Sequence, residues 1–410
     1  MSVQTTAIDA VAAATHADPY PYYAALAAGP ALVFDARLGL WLAAGAAAVE
    51  AVLGDPHCRV RPPAEPVPAP IAGLDAGSIF GELVRMNDGA RHQLPKLALR
   101  RALAGVDLAA LRASAATIAA AAAAGRDLGR PQQLSEWMFE LPVHAVAGLL
   151  GFPQRQWPAL AAWMADFVAC LSPLSSAEQI ANANGAAQQL LHSFKELVQS
   201  CAPQPGSLLQ AVLREAADAG WDRAHAILAN LVGLLSQTYE ATAGLIGNSI
   251  VALLRQPGLD DAVGAAPERM TERTNALVRE VGRFDPPVQN TRRFVARAAS
   301  LCGVDVEAGQ TILVLLAAAG RDPAANPRPH AFLLERPARR VFGFGHGAHA
   351  CPGQALAETI AAAAVAEWRR RRPAPDSTLD STPQWAWRYR RSLNARIPVF
   401  HLIQKIQEPT

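Results

Sequence analysis

The sequence predicts an α+β protein, mainly α-helical with one small β-rich lobe, and three observations carry that expectation. From residue 92 to 283 the apolar spacing is helical nearly throughout, interrupted only by short breaks. Short alternating apolar runs cluster towards the two chain ends, where they can meet in one lobe. No linker-like stretch divides the 410 residues, so residues 1–410 are expected to form one unit. Its lobe is drawn from roughly 28–60, 286–340 and 380–403, and its helical body from roughly 92–283 and 353–372.

In chain order, Ala31 to Phe34 and Leu38 to Ala43 alternate around an Asp35-Ala36-Arg37 turn, and Ala46 to Leu53 reads as a helix. Residues 61–70, RPPAEPVPAP, hold five prolines, which neither a helix nor a central strand accommodates. Within the helical body, breaks fall at Gly125 to Pro131, Gly151 to Pro153, Leu171 to Ser176 and Ala202 to Ser207. Between Ala226 and Leu254 the only formal charge is Glu240, and the length would suffice for a membrane span. Asn230, Ser236, Gln237, Asn248 and Ser249 punctuate that stretch, and no aromatic belt or basic flank frames it, so a buried core helix is the better reading. After Arg283 come short strands and turns, then one long helix following Gly353 that ends in the arginines 369–372.

Composition excludes several classes. Charged residues are only 18% and hydrophobic residues 51%, which rules out a disordered chain. A formal charge of +2 gives no nucleic-acid footprint. Five widely spaced cysteines are the opposite of a disulfide framework and fit a reducing compartment, so a cytoplasmic location is expected, with no membrane and no nucleic-acid partner. The first residues lack a basic segment followed by an apolar one.

Chemistry concentrates in Val341 to Ala357, VFGFGHGAHACPGQALA. Gly343, Gly345 and Gly347 permit close backbone approach, so a flat group could lie against the loop. Cys351 precedes a helix, where the macrodipole favours a thiolate. Three readings compete. A zinc site could use His346, His349 and Cys351, but three ligands within six residues are unlike structural zinc spacings and no fourth ligand is evident. A buried free cysteine at a turn is the plain alternative. The third reading rests on Phe344, Gly347, Cys351 and Gly353, which reproduce F-x-x-G-x-x-x-C-x-G.

That pattern resembles the haem-binding loop of the cytochrome P450 family, in its bacterial form. The resemblance implies a mainly helical fold with haem b (iron protoporphyrin IX) buried between a long central helix and the cysteine loop. It implies Cys351 as the axial iron ligand, Phe344 and Gly353 as haem-contacting loop positions, and His349 on a haem propionate. Glu280 and Arg283, in LVREVGRFDPP, match the family's E-x-x-R ion pair, whose implied role is structural. In PPVQNTRRF the resemblance places Arg293 at a propionate, with Arg292 beside it. MNDGARHQLPKLALRR is similar to the helix bearing H-x-x-x-R, with His92 in place and Lys96 where arginine is usual. A lysine keeps the charge but loses the bidentate fork.

The family's central helix carries A-G-x-(D/E)-T-T, whose acid and first alcohol supply protons on the oxygen side of the haem. Here the stretch is Gln237-Thr238-Tyr239-Glu240-Ala241-Thr242. The acid is kept as Glu240, the first threonine is Ala241, and Thr242 stands one residue late, rotated by about 100°. Gln237 shares a face with Ala241, and is expected to replace the missing alcohol together with an ordered water or a substrate hydroxyl. By this resemblance the chain is a monooxygenase inserting one oxygen atom from O2 into a mainly apolar small molecule of bacterial secondary metabolism. Electrons would come from an external ferredoxin and ferredoxin reductase using NAD(P)H. The Ala241 change also admits a peroxide-using or redox-neutral enzyme, or a haem-binding sensor or carrier without catalysis. Substrate contacts are expected from Pro62 to Phe80, from Phe167 to Gly206, after Pro287 and near Leu393.

Overall fold

The computed structural model describes residues 8–199, 206–372 and 385–402. The parts of the expected lobe at 380–384 and 403, and most of the break at Ala202 to Ser207, lie outside them. Strand β1 (Leu32–Asp35) turns back into β2 (Leu40–Ala43) where Asp35 Oδ1 accepts from the N–H groups of Arg37 and Leu38 and Gly39 takes a positive φ. With β3 (Cys58–Arg59), β4 (Thr291–Val295) and β7 (Thr311–Val314), these form a five-stranded sheet of order β1-β2-β7-β4-β3. Leu42 lies opposite Leu313 in a parallel β2–β7 pair, so the first and last thirds of the chain share one sheet. A short hairpin joins β5 (Ala299–Leu301) to β6 (Val304–Val306).

The terminal hairpin of β8 (Trp385–Tyr389) and β9 (Pro398–Leu402) is a separate sheet rather than part of that lobe. The reason is its apolar face: Phe400 is buried in the helical core, with Trp385 and Trp387 packed against it. A single bridge, Val288 to Ala395, ties it to the segment entering β4.

Two helices accompany the sheet, α1 (Tyr20–Ala27) and α2 (Ala46–Gly54), whereas the next, α3 (Asp75–Glu82), packs into the core of the helical body. The proline-rich stretch is irregular as expected, but α3, inside the expected substrate loop, was not legible. The body consists of α4 (Ala90–Ala104), α5 (Leu108–Ala122), α6 (Pro131–Leu150), α7 (Trp157–Ala169), α8 (Ala177–Gln199), α9 (Leu208–Asp218), α10 (Ala224–Arg255), α11 (Leu259–Gly264) and α12 (Met270–Phe284). The chain returns through α13 (Leu316–Gly320) and ends its helical part with α14 (Gln354–Arg371). Boundaries follow local chemistry. Asp107 caps α5 by accepting from Ala109 and Ala110, Ser207 caps α9 through Gln210, and Gly151 closes α6 in the left-handed conformation.

Helix α10 has 32 residues, about 48 Å at 1.5 Å per residue. It packs against α3, α6, α7, α8, α11, α12, α14 and β9, which makes it the axis of the body. Among the described residues no single helix is long and apolar enough to cross a membrane.

Candidate active site around Cys351

The cysteine loop is held from both sides. The Cys351 N–H donates to the Phe344 carbonyl at 2.8 Å, and Gly345 N–H to Phe342 O at 2.8 Å. Gly345 and Gly347 have φ of 75° and 65°, and a Cβ on Gly343 would sit 2.8 Å from Pro286 Cβ. The loop therefore folds onto the segment after α12 only because these side chains are absent. Cys351 stands just before α14, and the Gly353 N–H bonds to its sulfur.

The dipole argument alone anticipates a lowered thiol pKa. Instead the Cys351 pKa is raised, because desolvation outweighs the Gly353 N–H and the Lys96 charge, which lower it. Yet Cys351 has ample accessible surface. Both hold together if the sulfur faces an internal space. The zinc alternative is not assembled: His349 turns to Asp88 (3.1 Å) and His346 towards Glu50 (3.8 Å). No cluster of three or more His, Cys, Asp or Glu groups suited to a metal ion occurs among the described residues.

Beside the loop, the structure gathers four of the expected propionate partners. His92 on α4 stacks on His349 with ring centroids 4.1 Å apart, and Lys96 Nζ, one turn on, donates to Ala350 O at 2.5 Å. Asp88 joins the group, accepting from the Val60 N–H and bonding His349; burial raises its pKa, but these two bonds leave it lowered overall. Arg293 on β4 is buried within electrostatic reach of Asp88, and among the described residues its guanidinium bonds only to Thr291 Oγ1 and the Arg292 carbonyl. It has no ion pair among the described residues. His92 is driven to a pKa of about 4 by burial, then by His349 and Lys96, so it is neutral, and its buried Nε2 has no partner. With Asp88 engaged by His349, two cations without an ion pair and an orphaned imidazole nitrogen stand at one edge of the cysteine loop, a set that would suit a further anion.

Glu280 and Arg283 are fully buried, 2.6 Å apart. The pair is really a hub, because Glu280 also accepts from Arg336 Nε (3.0 Å), Arg339 Nε (2.8 Å) and the Leu333 N–H (3.2 Å). Burial would raise its pKa, but Arg283, Arg339 and that N–H together hold it low. The guanidiniums in turn bond carbonyls of Gly320, Pro327, Pro329, Ala331 and Leu334. They stitch the strandless segment before the cysteine loop to α12. Arg336 and Arg339 were missed; the only signal was their place in the ERPARR run.

On α10, Leu234, Gln237, Thr238 and Ala241 are open or half-open, whereas Leu235, Ser236, Tyr239 and Thr242 are buried. Spacing of i, i+3, i+4 and i+7 makes the first four one stripe. On a helix packed by eight elements, such a stripe borders an internal space. Gln237 is on it, its Nε2 donating to Gly233 O at 2.9 Å, and Thr238 Oγ1 bonds Leu234 O at 2.8 Å. Thr242 is a correction: it is 1% exposed and points into helix packing, as its rotation from Ala241 requires. Glu240 lies at the edge of the stripe, 3.1 Å from Arg390 Nη1 at the end of β8. Burial raises its pKa more than Arg390 and then Arg85 lower it. Neither arginine was foreseen, since nothing in sequence links positions so far apart.

Known proteins resemble this chain in sequence and in fold. The family model for cytochrome P450 matches residues 269–367, which hold both the Glu280 hub and the cysteine loop. The chain is 32% identical over 379 residues to cytochrome P450 monooxygenase PikC of Streptomyces venezuelae, covering 90% of this chain and 86% of that one. It is 27% identical to the biotin biosynthesis cytochrome P450 of Bacillus subtilis over 63% of each. Among solved structures, CalO2 superposes with a TM-score of 0.77 at 25% identity, covering 94% of both chains. With a relative 32% identical that spans 90% of the chain, and a family model that matches the segment holding both the glutamate–arginine hub and the cysteine loop, the protein belongs to the cytochrome P450 family.

Proposed function

We propose that residues 1–410 act as one haem-thiolate monooxygenase unit, which inserts one oxygen atom from O2 into a mainly apolar small molecule of bacterial secondary metabolism. A separate ferredoxin and its NAD(P)H-dependent reductase supply the electrons. The observation that carries this reading is the Cys351 thiol, accessible although desolvated by burial, with cations that form no ion pair among the described residues at the rim of its loop.

Those residues fit haem b. Its two carboxylates would pair with the Arg293 guanidinium and the Lys96 ammonium, which have no ion pair among the described residues, and with the unpartnered His92 Nε2, with His349 beside them. Phe344 and Gly353 frame the sulfur, Phe344 through its carbonyl bond to Cys351 and Gly353 through its N–H. Bound haem supplies the activation of oxygen, and thiolate ligation favours O–O cleavage. The chain's own task is to meter protons and keep bulk water out. Glu240 is the proton reservoir, its carboxyl held by Arg390 and its pKa raised by burial. Gln237 relays: with Nε2 engaged by Gly233, its carbonyl oxygen remains as the acceptor for a water or substrate hydroxyl. Thr242, buried off the stripe, is left without this role.

The methyl group of Ala241, where the family has an alcohol, favours a second reading in which the same site uses peroxide or performs a redox-neutral rearrangement. Turnover with hydrogen peroxide compared with reduced ferredoxin and O2 separates the two. For ligation itself, the reduced carbon-monoxide complex of the purified protein is expected to show the red-shifted Soret band of a thiolate ligand, abolished in Cys351→His. A colourless protein after supplementation with haemin refutes the assignment.

A further inference from the structure

We infer that Arg85 is the recognition point for a carboxylate on the substrate, which is therefore an acid with an apolar body. This rests on the haem-thiolate reading above and narrows it.

Arg85 belongs to a single 3-10 turn, Val84–Met86, whose backbone is fixed against α10. The Val84 N–H donates to Asn230 Oδ1 at 2.8 Å, and Asn230 Nδ2 donates to Glu82 O at 2.7 Å. Asn87 Nδ2 closes the turn on Leu83 O at 2.8 Å, and Leu83 packs over Gly233. The guanidinium is thus delivered to α10 close to Glu240, by a scaffold that a mobile surface loop would lack.

What the guanidinium does there is unexplained by the protein. It has no hydrogen bond or ion pair among the described residues, and its Nε is wholly buried without a partner. Burial lowers its pKa to about 10, with Glu240 the one charge acting against that, so it is a cation at neutral pH. Glu240 does not neutralise it, being beyond ion-pair reach and already bound to Arg390. The residue as a whole is part-exposed, but its Nε is out of reach of solvent with no acceptor, and an incoming anion would supply one. Arg61, on the same 61–92 segment, also has a buried Nε without a partner, but its Nη2 donates to Glu65 O, so Arg85 is the less satisfied of the two.

The haem carboxylates are not the natural partner. Their cations, Arg293 and Lys96, sense Asp88 and Cys351, whereas Arg85 senses Glu240 on α10. A single planar guanidinium matches one carboxylate bidentately. On the open stripe of α10, Leu234 and Ala241 offer only hydrocarbon, which suits an acid with an apolar remainder.

The test uses haem-loaded protein and matched pairs of free acids and their methyl esters: decanoic, hexadecanoic, 4-phenylbutyric and indole-3-propionic. Affinity is read by equilibrium dialysis and by the shift of the Soret band. At least one acid is expected to bind wild type tenfold or more tightly than its ester. Arg85→Gln erases that preference, Arg85→Lys retains part of it, and haem content stays at the wild-type ratio. Equal binding of acids and esters to wild type, which needs no variant, overturns the inference; so does a preference that survives Arg85→Gln, or the failure of every acid to bind. Loss of haem in Arg85→Gln also overturns it, by assigning the guanidinium to the cofactor. A wild-type protein lacking the thiolate-type band, recorded before any ligand is added, sinks the haem-thiolate reading instead.

Discussion

Replacing Glu280 with glutamine tests whether the hub behind the cysteine loop is held by charge. In the wild type one carboxylate accepts from Arg283, Arg336 and Arg339, the first two of which are essentially inaccessible to solvent. Glutamine keeps the shape but removes the only negative charge and turns an NH2 towards guanidinium groups. Breaking a buried pair on one side costs about 3–5 kcal/mol. With an unfolding entropy of about 2.1 cal/mol/K per residue over 410 residues, a loss of ~4 kcal/mol lowers Tm by about 5 °C. Circular dichroism melts and the haem-to-protein ratio read this directly, and the loop should lose haem before the helices melt. The pH dependence gives a second signature. Because the folded pKa of Glu280 is lowered, its contribution is complete above the unfolded value of about 4.3 and is lost as pH falls through the folded one. The gap between wild type and variant therefore closes in acid below about pH 4. A variant that melts within about 1 °C of wild type and retains full haem would refute the reasoning.

Three further outcomes are expected. Gln237→Ala lowers product formed per NADH consumed and Ala241→Thr raises it; unchanged coupling in a correctly folded Gln237→Ala protein removes that side chain from the proton path. Arg390→Gln removes the larger of the two charges that lower the Glu240 pKa, so the carboxyl stays protonated to higher pH and the alkaline limb of the coupling profile moves upward. A limb that stays in place means another group supplies the proton. Lys96→Arg restores a bidentate fork worth about 1 kcal/mol and slows haem transfer to apomyoglobin roughly fivefold, while Lys96→Met speeds it.

How much was legible depended on whether a signal was local. The β1–β2 hairpin was readable because Asp35, Gly39 and two alternating runs lie within a dozen residues. The helix breaks were readable because glycine and proline mark them. Cys351, Glu280 and Arg283 stood out because their spacing is short and fixed. By contrast, α3 follows a proline-rich run and is a short helix held by Asn184 of α8, whose Oδ1 accepts from the Asp75 N–H. Such a contact has no trace in sequence. The separation of β8 and β9 from the lobe was decided by where Phe400 could be buried, a competition between two cores that pattern reading does not weigh. The partners of Glu240 and Glu280 come from loops whose arginines look like any solvated charge until the fold brings them in. For Thr242, the helical rotation that made it a doubtful replacement in sequence is what buries it.

The parallel pairing of β2 with β7 bears on how the chain is made. Leu42 emerges early from a ribosome, but Leu313 follows 271 positions later, and at about 5–20 residues per second that is roughly 14–54 s. Throughout this interval the β1–β2 hairpin exposes an edge with nothing to complete it. Helices α4 to α10, whose contacts are nearer in sequence, can gather first. The nascent lobe is thus a temporal liability, and any synonymous change or stall that lengthens the wait should increase the share of chains captured by chaperones before haem can enter.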